Sequence, residues 1–208
     1  MSAIPKALRN SLAALAILAG SGGGMYMANE ATIQAAQNEY LQAVAADHEV
    51  SDSIKIAMVM AHYYESSNRH IGKPYIDRNG RGQPLTVCNG ITGPEVKADK
   101  YYSPAECYAM EKRRYQAYER LAPLQLNYWT SYGPFQQATF LDFMHNKGSG
   151  ALSTSTMRRK ANAGDISGAC AENPRWNRGT VNGVSVVLPG LDSRAKSNAE
   201  LCAWEGPL

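Results

Sequence analysis

The sequence predicts an α+β fold in which one small, irregular β-region sits among helices. Three observations predict it. From Ser66 to Gly93 no apolar repeat of helical period runs, while Gly72, Pro74, the Asn79-Gly80 pair, Gly82 and Pro84 punctuate short β-compatible pieces. On either side, "SIKIAMVMAHYY" and "SPAECYAMEKRRYQAYERL" carry helix starts and helical patterning. Everything after the second of these reads as helices broken by turns, so strands and helices are segregated and no alternating β-α-β order appears.

The elements follow in order. "MSAIPKALRNSLAALAILAGSGGGMYMANEA" has Lys6 and Arg9, then no charge from Asn10 to Asn29, long enough to span a bilayer core. It is weakly apolar, rich in Ala, with four glycines between 20 and 24. A cut after Ala28 places Tyr26 at the −3 position, where signal peptidase wants a small residue. The segment therefore reads as an export signal that is kept, held marginally in the membrane. Residues 30–47 are amphipathic, with Ile33, Ala36, Tyr40 and Val44 on one stripe, and suit a helical linker. Ser51-Asp52 caps the helix that ends near Glu65. After the β-region, Ser103 is a good N-cap, Pro104 suits the first helical position and Glu106 completes a capping box, for a helix to about Leu121. Further helices are expected at 134–146, 154–163, 165–172 and 191–204. The expected organisation is a signal-anchor at 1–28, a helical linker at 29–50 and one main domain at 51–208.

With 208 residues, 44% hydrophobic, the chain suits one domain with a short appendage. Its net charge of +3 is scattered, which speaks against a nucleic-acid binder. Cys88, Cys107, Cys170 and Cys202 include no C-x-x-C pair, which argues against a zinc ribbon. An even number at wide spacing suits two disulfides and an oxidising compartment, against the alternative of four reduced core cysteines. Four cysteines allow three pairings; Cys88–Cys107 with Cys170–Cys202 is the expected one, each closing a local region. His62 and Glu65 form an H-x-x-E pattern without further ligands nearby, and "DRNGRGQ" lacks the alternating acids of a calcium loop, so no metal and no cofactor is expected.

Glu65 ends an apolar run beside Tyr63 and Tyr64. A carboxyl partly desolvated against aromatics holds its proton more tightly and suits a general acid. Asp77, on the predicted hairpin, is a second carboxylate in a wetter place, able to orient water or stabilise positive charge. Thr86, on the following strand, offers a hydroxyl for the attacking water. Two carboxyls in different environments flanking one bond meet the requirement of glycoside hydrolysis. Singly, each is ordinary: a Glu at a helix end is usually solvated, and an Asp before a turn is usually a turn residue.

The order Glu, Asp in a hairpin, then "T-x-C-x-G-x-T-G" resembles the phage-type lysozymes, glycoside hydrolase family 24, and in particular the signal-anchor-release endolysins of lambdoid phages. "YYSPAEC" is similar to their helix after the hairpin. "FMHNKGSGALSTSTMRRKANAGDISGACAENPRW" resembles their "N-x-G-x-G … T-S-T-L-x-R-K-x-N-x-G-D" segment, and "GLDSRAKSNAELCAW" resembles their "G-L-x-x-R … C-x-W" close. All four cysteines fall where those endolysins carry theirs. The resemblance covers roughly residues 52–205. It implies a lysozyme-like fold, with a β-hairpin lobe and a helical lobe, that hydrolyses the β-1,4 bond between N-acetylmuramic acid and N-acetylglucosamine of peptidoglycan for host cell lysis. It implies Sec export to the host periplasm, tethering to the inner membrane through residues 11–28 in an inactive form, and a monomer. Glu65, Asp77 and Thr86 match the family's Glu-x8-Asp-x5-Thr triad, with eleven and eight residues in the gaps here, each three longer. Arg194 matches an arginine that in relatives pairs with the catalytic glutamate. Gly90 lets the backbone approach a sugar, and Thr92 lies beside the cleft; the relatives' "G-H-T-G" is Gly90-Ile91-Thr92-Gly93 here, without the histidine. Two other readings compete. A lytic transglycosylase would use Glu65 alone and form anhydro ends, but its "Glu65-Ser66-Ser67" and "Tyr132-Gly133-Pro134-Phe135-Gln136" pieces lie too far apart. A non-catalytic wall-binding protein would carry enlarged loops that dismantle the site.

Overall fold

The computed structural model describes residues 39–67, 69–77, 82–181 and 183–204. The expected anchor over 11–28, the linker residues 29–38 and the Asn79-Gly80 turn lie outside the described residues. The described chain forms two compact units, one of residues 39–50 and 58–113 and one of 51–57 and 114–204.

The first unit opens with α1 (Glu39–Ala46), which buries Tyr40, Leu41 and Val44. The turn after it is pinned by charge. Asp47 accepts from the Tyr108 hydroxyl and, at 2.6 Å, from Lys112, which also reaches Glu49 at 2.9 Å. Those bonds, Lys112 first and Tyr108 second, hold the Asp47 carboxyl at about 2. Val50 is buried too. The segment 39–50 is thus a seated part of this unit.

Helix α2 (Asp52–Ser66) starts where the Ser51 hydroxyl accepts from the Ile54 amide at 3.3 Å. Ile54 and the run Ile56 to Ala61 are almost wholly buried, so the helix is apolar around its circumference and shows little amphipathic contrast. It ends at Ser66, and Ser67 leaves it with φ +53°. Three short strands follow as an antiparallel meander: β1 (Tyr75–Ile76), β2 (Leu85–Val87) and β3 (Ile91–Thr92). The pairs are Tyr75 with Thr86 and Ile76 with Leu85, then Thr86 with Thr92 and Val87 with Ile91. Side chains alternate across a strand. Ile76, Leu85, Val87 and Ile91 therefore share one face, and Tyr75, Thr86 and Thr92 share the other. Val87 and Ile91 join Cys88, Val96, Tyr102, Cys107 and Met110 in a buried cluster, with Leu85 packed against it. The Cys88–Cys107 disulfide ties the β2–β3 turn to α3 (Pro104–Gln125).

The capping box of α3 is present: the Glu106 amide donates to the Ser103 hydroxyl at 3.2 Å, and the Ser103 amide donates to the Glu106 carboxylate at 2.9 Å. The helix runs past the expected end at Leu121. Pro123 falls in its last turn, where it removes one amide from the ladder, and Leu126 still donates to the Ala122 carbonyl at 2.8 Å.

The second unit is built on α4 (Pro134–Lys147), buried at Phe135 and from Ala138 to Met144, with the polar Thr139 and Asp142 enclosed among the apolar residues. α8 (Pro189–Cys202) packs against it and against α7 (Ile166–Cys170), to which the Cys170–Cys202 disulfide joins it. The helix expected at 154–163 is two helices, α5 (Ser149–Thr154) and α6 (Thr156–Asn162). Ser155 breaks them: its backbone is extended, and its hydroxyl caps α6 by accepting from the Arg158 amide at 3.0 Å.

One element differs from the sequence reading, which placed only helices after Leu121. Residues 178–187 form a second antiparallel hairpin, β4 (Arg178–Val181) with β5 (Val184–Val187). Its signal is "VNGV": an Asn-Gly pair between β-branched residues, with Gly183 at φ +78°.

Candidate active site

The first unit holds Glu65, Asp77, Thr86, Gly90 and Thr92. Glu65 lies in the last turn of α2 and is half-buried. Asp77 follows β1, also half-buried, and extends the ladder by one rung: its amide donates to the Pro84 carbonyl at 3.0 Å. The Thr86 hydroxyl donates to that same carbonyl at 3.1 Å. One backbone oxygen therefore fixes both the Asp77 main chain and the Thr86 side chain. The shared carbonyl keeps Asp77 and Thr86 in register across the connection that joins their strands.

Asp77 stands two residues after Tyr75, so the alternation puts both on the Thr86 face of the sheet. Tyr75 is the residue that sequence reasoning missed. Its phenol is pushed above the usual tyrosine range by burial first, then by the charges of Glu65 and Asp77. The charges of both carboxylates thus act on one phenol. The signal available in the sequence was the period-two pattern of "Tyr75-Ile76-Asp77", which places a tyrosine beside any working Asp77.

Thr86 is 2% exposed, and its hydroxyl proton is used by Pro84, so it offers a water only its lone pairs. Thr92 is directly opposite Thr86 and half-buried. The turn between them requires left-handed backbone at Cys88, φ +56°, and at Gly90, φ +81°. At Gly90 a side chain would be strained, which is why the turn carries glycine there.

Arg194 belongs to the second unit, on α8. It is 2% exposed, and it donates through Nε and Nη2 to the two oxygens of Asp142 at 3.0 and 2.7 Å. The Asn198 amide adds a third bond to Asp142 at 2.6 Å. Asp142 escaped sequence reading: it sits in the middle of "FLDFMH", with no pattern that marks it as the partner of an arginine 52 positions away. Among the described residues no cluster of His, Cys, Asp and Glu has the arrangement of a metal site.

The profile of the Phage lysozyme family matches residues 70–198, which include Asp77, Thr86, Gly90, Thr92 and Arg194 and begin just after Glu65. A SAR-endolysin of Bacteriophage PS119 is 34% identical over 134 residues, covering 64% of this chain and 74% of its own. A SAR-endolysin of Escherichia phage Mu is 39% identical over 107 residues, covering 50% of this chain and 57% of its own. Among solved structures, the active form of the P1 phage endolysin Lyz superposes with a TM-score of 0.64 at 17% identity, covering 78% of this chain and 90% of that one. The muramidase domain of SpmX from Asticaccaulis excentricus gives 0.61 at 17%, covering 71% and 95%. At those identities the structural likeness speaks for the lysozyme-like fold, and the profile match, over more than half of the sequence, decides the rest: the chain belongs to the phage lysozyme family.

Proposed function

We propose that the chain is an endolysin that hydrolyses the β-1,4 bond between N-acetylmuramic acid and N-acetylglucosamine, with Glu65, Asp77 and Thr86 as its catalytic residues. The observation that carries this reading is that the Pro84 carbonyl holds both the Asp77 main chain and the Thr86 side chain, on the sheet face where the Tyr75 phenol feels the charges of Glu65 and Asp77. In this scheme the Glu65 carboxylic acid gives its proton to the bridging oxygen as the C1–O bond breaks. The Asp77 carboxylate stabilises the positive charge that develops on the sugar ring. A water hydrogen-bonded to Thr86 through that residue's free lone pairs adds its oxygen to C1 and leaves its proton on a carboxylate of the pair. Gly90 and Thr92 border the saccharide, and Tyr75 gives it an aromatic wall.

The relatives named SAR-endolysins support a finer statement about location. In this reading residues 11–28 hold the chain in the inner membrane after Sec export, and their low apolar content lets them leave it when the membrane potential collapses; the released enzyme acts in the periplasm as a monomer. Among the described residues no helix is long and apolar enough to cross a membrane. Protein that stays inserted after depolarisation would refute the release step.

The decisive experiment digests purified Gram-negative peptidoglycan with the full-length protein and reads the products by mass spectrometry, with Glu65→Gln as control. Hydrated reducing-end muropeptides, absent in the control, are expected. Anhydro ends would assign transglycosylase chemistry and leave Asp77 and Thr86 without a chemical role.

A further inference from the structure

Glu111 takes no part in the chemistry above, yet its side chain is completely enclosed in the first unit. Enclosing a carboxylate costs several kcal/mol unless donors replace its water. Three donors do so. The Asn89 amide gives a hydrogen bond to Oε1 at 3.1 Å, the Asn89 side chain gives one to Oε2 at 3.1 Å, and the Tyr40 hydroxyl gives one to Oε2. The three donors come from two places that matter. Asn89 lies in the β2–β3 turn between Cys88 and Gly90, three residues beyond Thr86. Its side-chain oxygen meets His62 Nδ1 at 3.2 Å, and His62 lies on α2 three residues before Glu65. Tyr40 comes from α1, and its ring stacks on His62 at 4.6 Å.

We propose that Tyr40 and Glu111 are positioning residues for the active site: the chain from the Tyr40 hydroxyl through Glu111 to Asn89 holds the turn that follows Thr86 against the helix that ends in Glu65. The proposal rests on the lysozyme reading above. It makes α1 part of the working enzyme, because without Tyr40 one lone pair of Glu111 loses its donor and His62, which meets the Asn89 side chain, loses the ring stacked on it.

The chemistry of the network sets its pH behaviour. Tyr40 from α1 and the non-titrating Asn89 from the turn bond Glu111, Glu65 from α2 acts on it through its charge, and His62 from α2 joins the network through Asn89 and the Tyr40 ring. The ionised carboxylate accepts all three donors. A protonated Glu111 must place its own hydrogen among them, and one bond is lost. Burial pushes Glu111 up to about 7, opposed by the bonds from Tyr40 and Asn89 and aided weakly by Glu65. Losing the Tyr40 bond moves it further up.

The test measures initial rates on purified peptidoglycan as a function of substrate concentration from pH 5 to 9, using the full-length chain. Tyr40→Phe keeps the ring on His62 and removes only the hydroxyl. We expect kcat to fall about tenfold, the size of effect that small misplacements of reacting groups produce, with KM little changed. The acid limb of the profile should move to higher pH. Glu111→Gln, which still accepts from the Asn89 amide, should recover activity that Glu111→Ala loses, and adding Tyr40→Phe to it should no longer move the acid limb. A Tyr40→Phe enzyme that melts at a lower temperature but keeps the kcat and acid limb of the wild type overturns the proposal and leaves the lysozyme reading intact. If Tyr40→Phe does not fold, Glu111→Gln decides alone, and an unmoved acid limb refutes the role. A wild type inactive at every pH overturns the lysozyme reading and this proposal together.

Discussion

Replacing Glu111 by Gln should reveal two opposed proton linkages within one buried network. In the folded chain burial pushes the Glu111 carboxyl up to about 7, against 4.5 when free. A raised carboxyl contributes stability that is complete below pH 4.5 and is lost as pH rises through 7. His62 does the reverse. Its enclosure lowers the imidazole from 6.5 to about 4, so its contribution is complete above pH 6.5 and is lost as pH falls through 4. Each displacement spans about 2.5 pH units, and at about 1.4 kcal/mol per unit each amounts to roughly 3 kcal/mol. Between pH 4.5 and 6.5 the two slopes nearly cancel in the wild type. In Glu111→Gln only His62 remains, so stability should climb by roughly 3 kcal/mol from pH 4 to 6.5, where the wild-type curve is nearly flat between pH 4.5 and 6.5. His62→Gln should show the opposite, a decline between pH 4.5 and 7. The assay is urea unfolding at half-unit pH steps. Far-UV circular dichroism is the readout, because Trp129, Trp176 and Trp204 all lie in the other unit and tryptophan fluorescence reports chiefly there. A Glu111→Gln curve parallel to wild type, or one that falls with pH, would refute the reasoning.

Three further outcomes are expected. Glu65→Gln should fold normally, since the side chain is only half-buried, and lose about 10²- to 10⁴-fold in kcat on peptidoglycan, the range of a general acid; retention of most activity would remove Glu65 from the mechanism. Asp142→Ala should destabilise by about 3–5 kcal/mol in urea unfolding, because it leaves the Arg194 guanidinium buried without its carboxylate, whereas a loss below about 1 kcal/mol would mean that water or another group replaces it. The Cys88→Ser/Cys107→Ser double variant should lose about 3 kcal/mol, as expected for a closed loop of this length, and should lose activity as well, because the bond anchors the turn between Thr86 and Thr92; unchanged activity at a lower melting temperature would confine the disulfide to stability.

Local signals in the sequence held where short-range physics decides structure. Ser103 and Glu106 made their capping box because the partners are three residues apart and need only a helix start to meet. Gly90 stands out in the sequence as a place where the backbone can approach a sugar, while the left-handed φ that selects glycine there came from the structure. The small β-region was legible through the density of turn formers, while the hairpin at 178–187 was passed over among helices although "VNGV" carried its signal. Helix α2 was found by its run of apolar residues, but such a run does not say which residues it packs against. Ser155 shows the limit on boundaries: a single hydroxyl turning back to cap the next helix split one expected helix into two.

By itself the sequence determined the family-bearing pattern, the helix starts, the order of the elements and the candidacy of Glu65, Asp77 and Thr86, because these depend on residue type and spacing along the chain. Only the tertiary structure decided that Pro84 offers one carbonyl to both Asp77 and Thr86, that the Tyr75 phenol feels the charges of both carboxylates, that Arg194 is gripped by Asp142, and that Tyr40 and Glu111 meet from 71 positions apart. Contacts of that kind cannot be seen in spacing. A buried charge must find its donors wherever folding places them, and the desolvation that makes those partners obligatory exists only once the chain has closed around them.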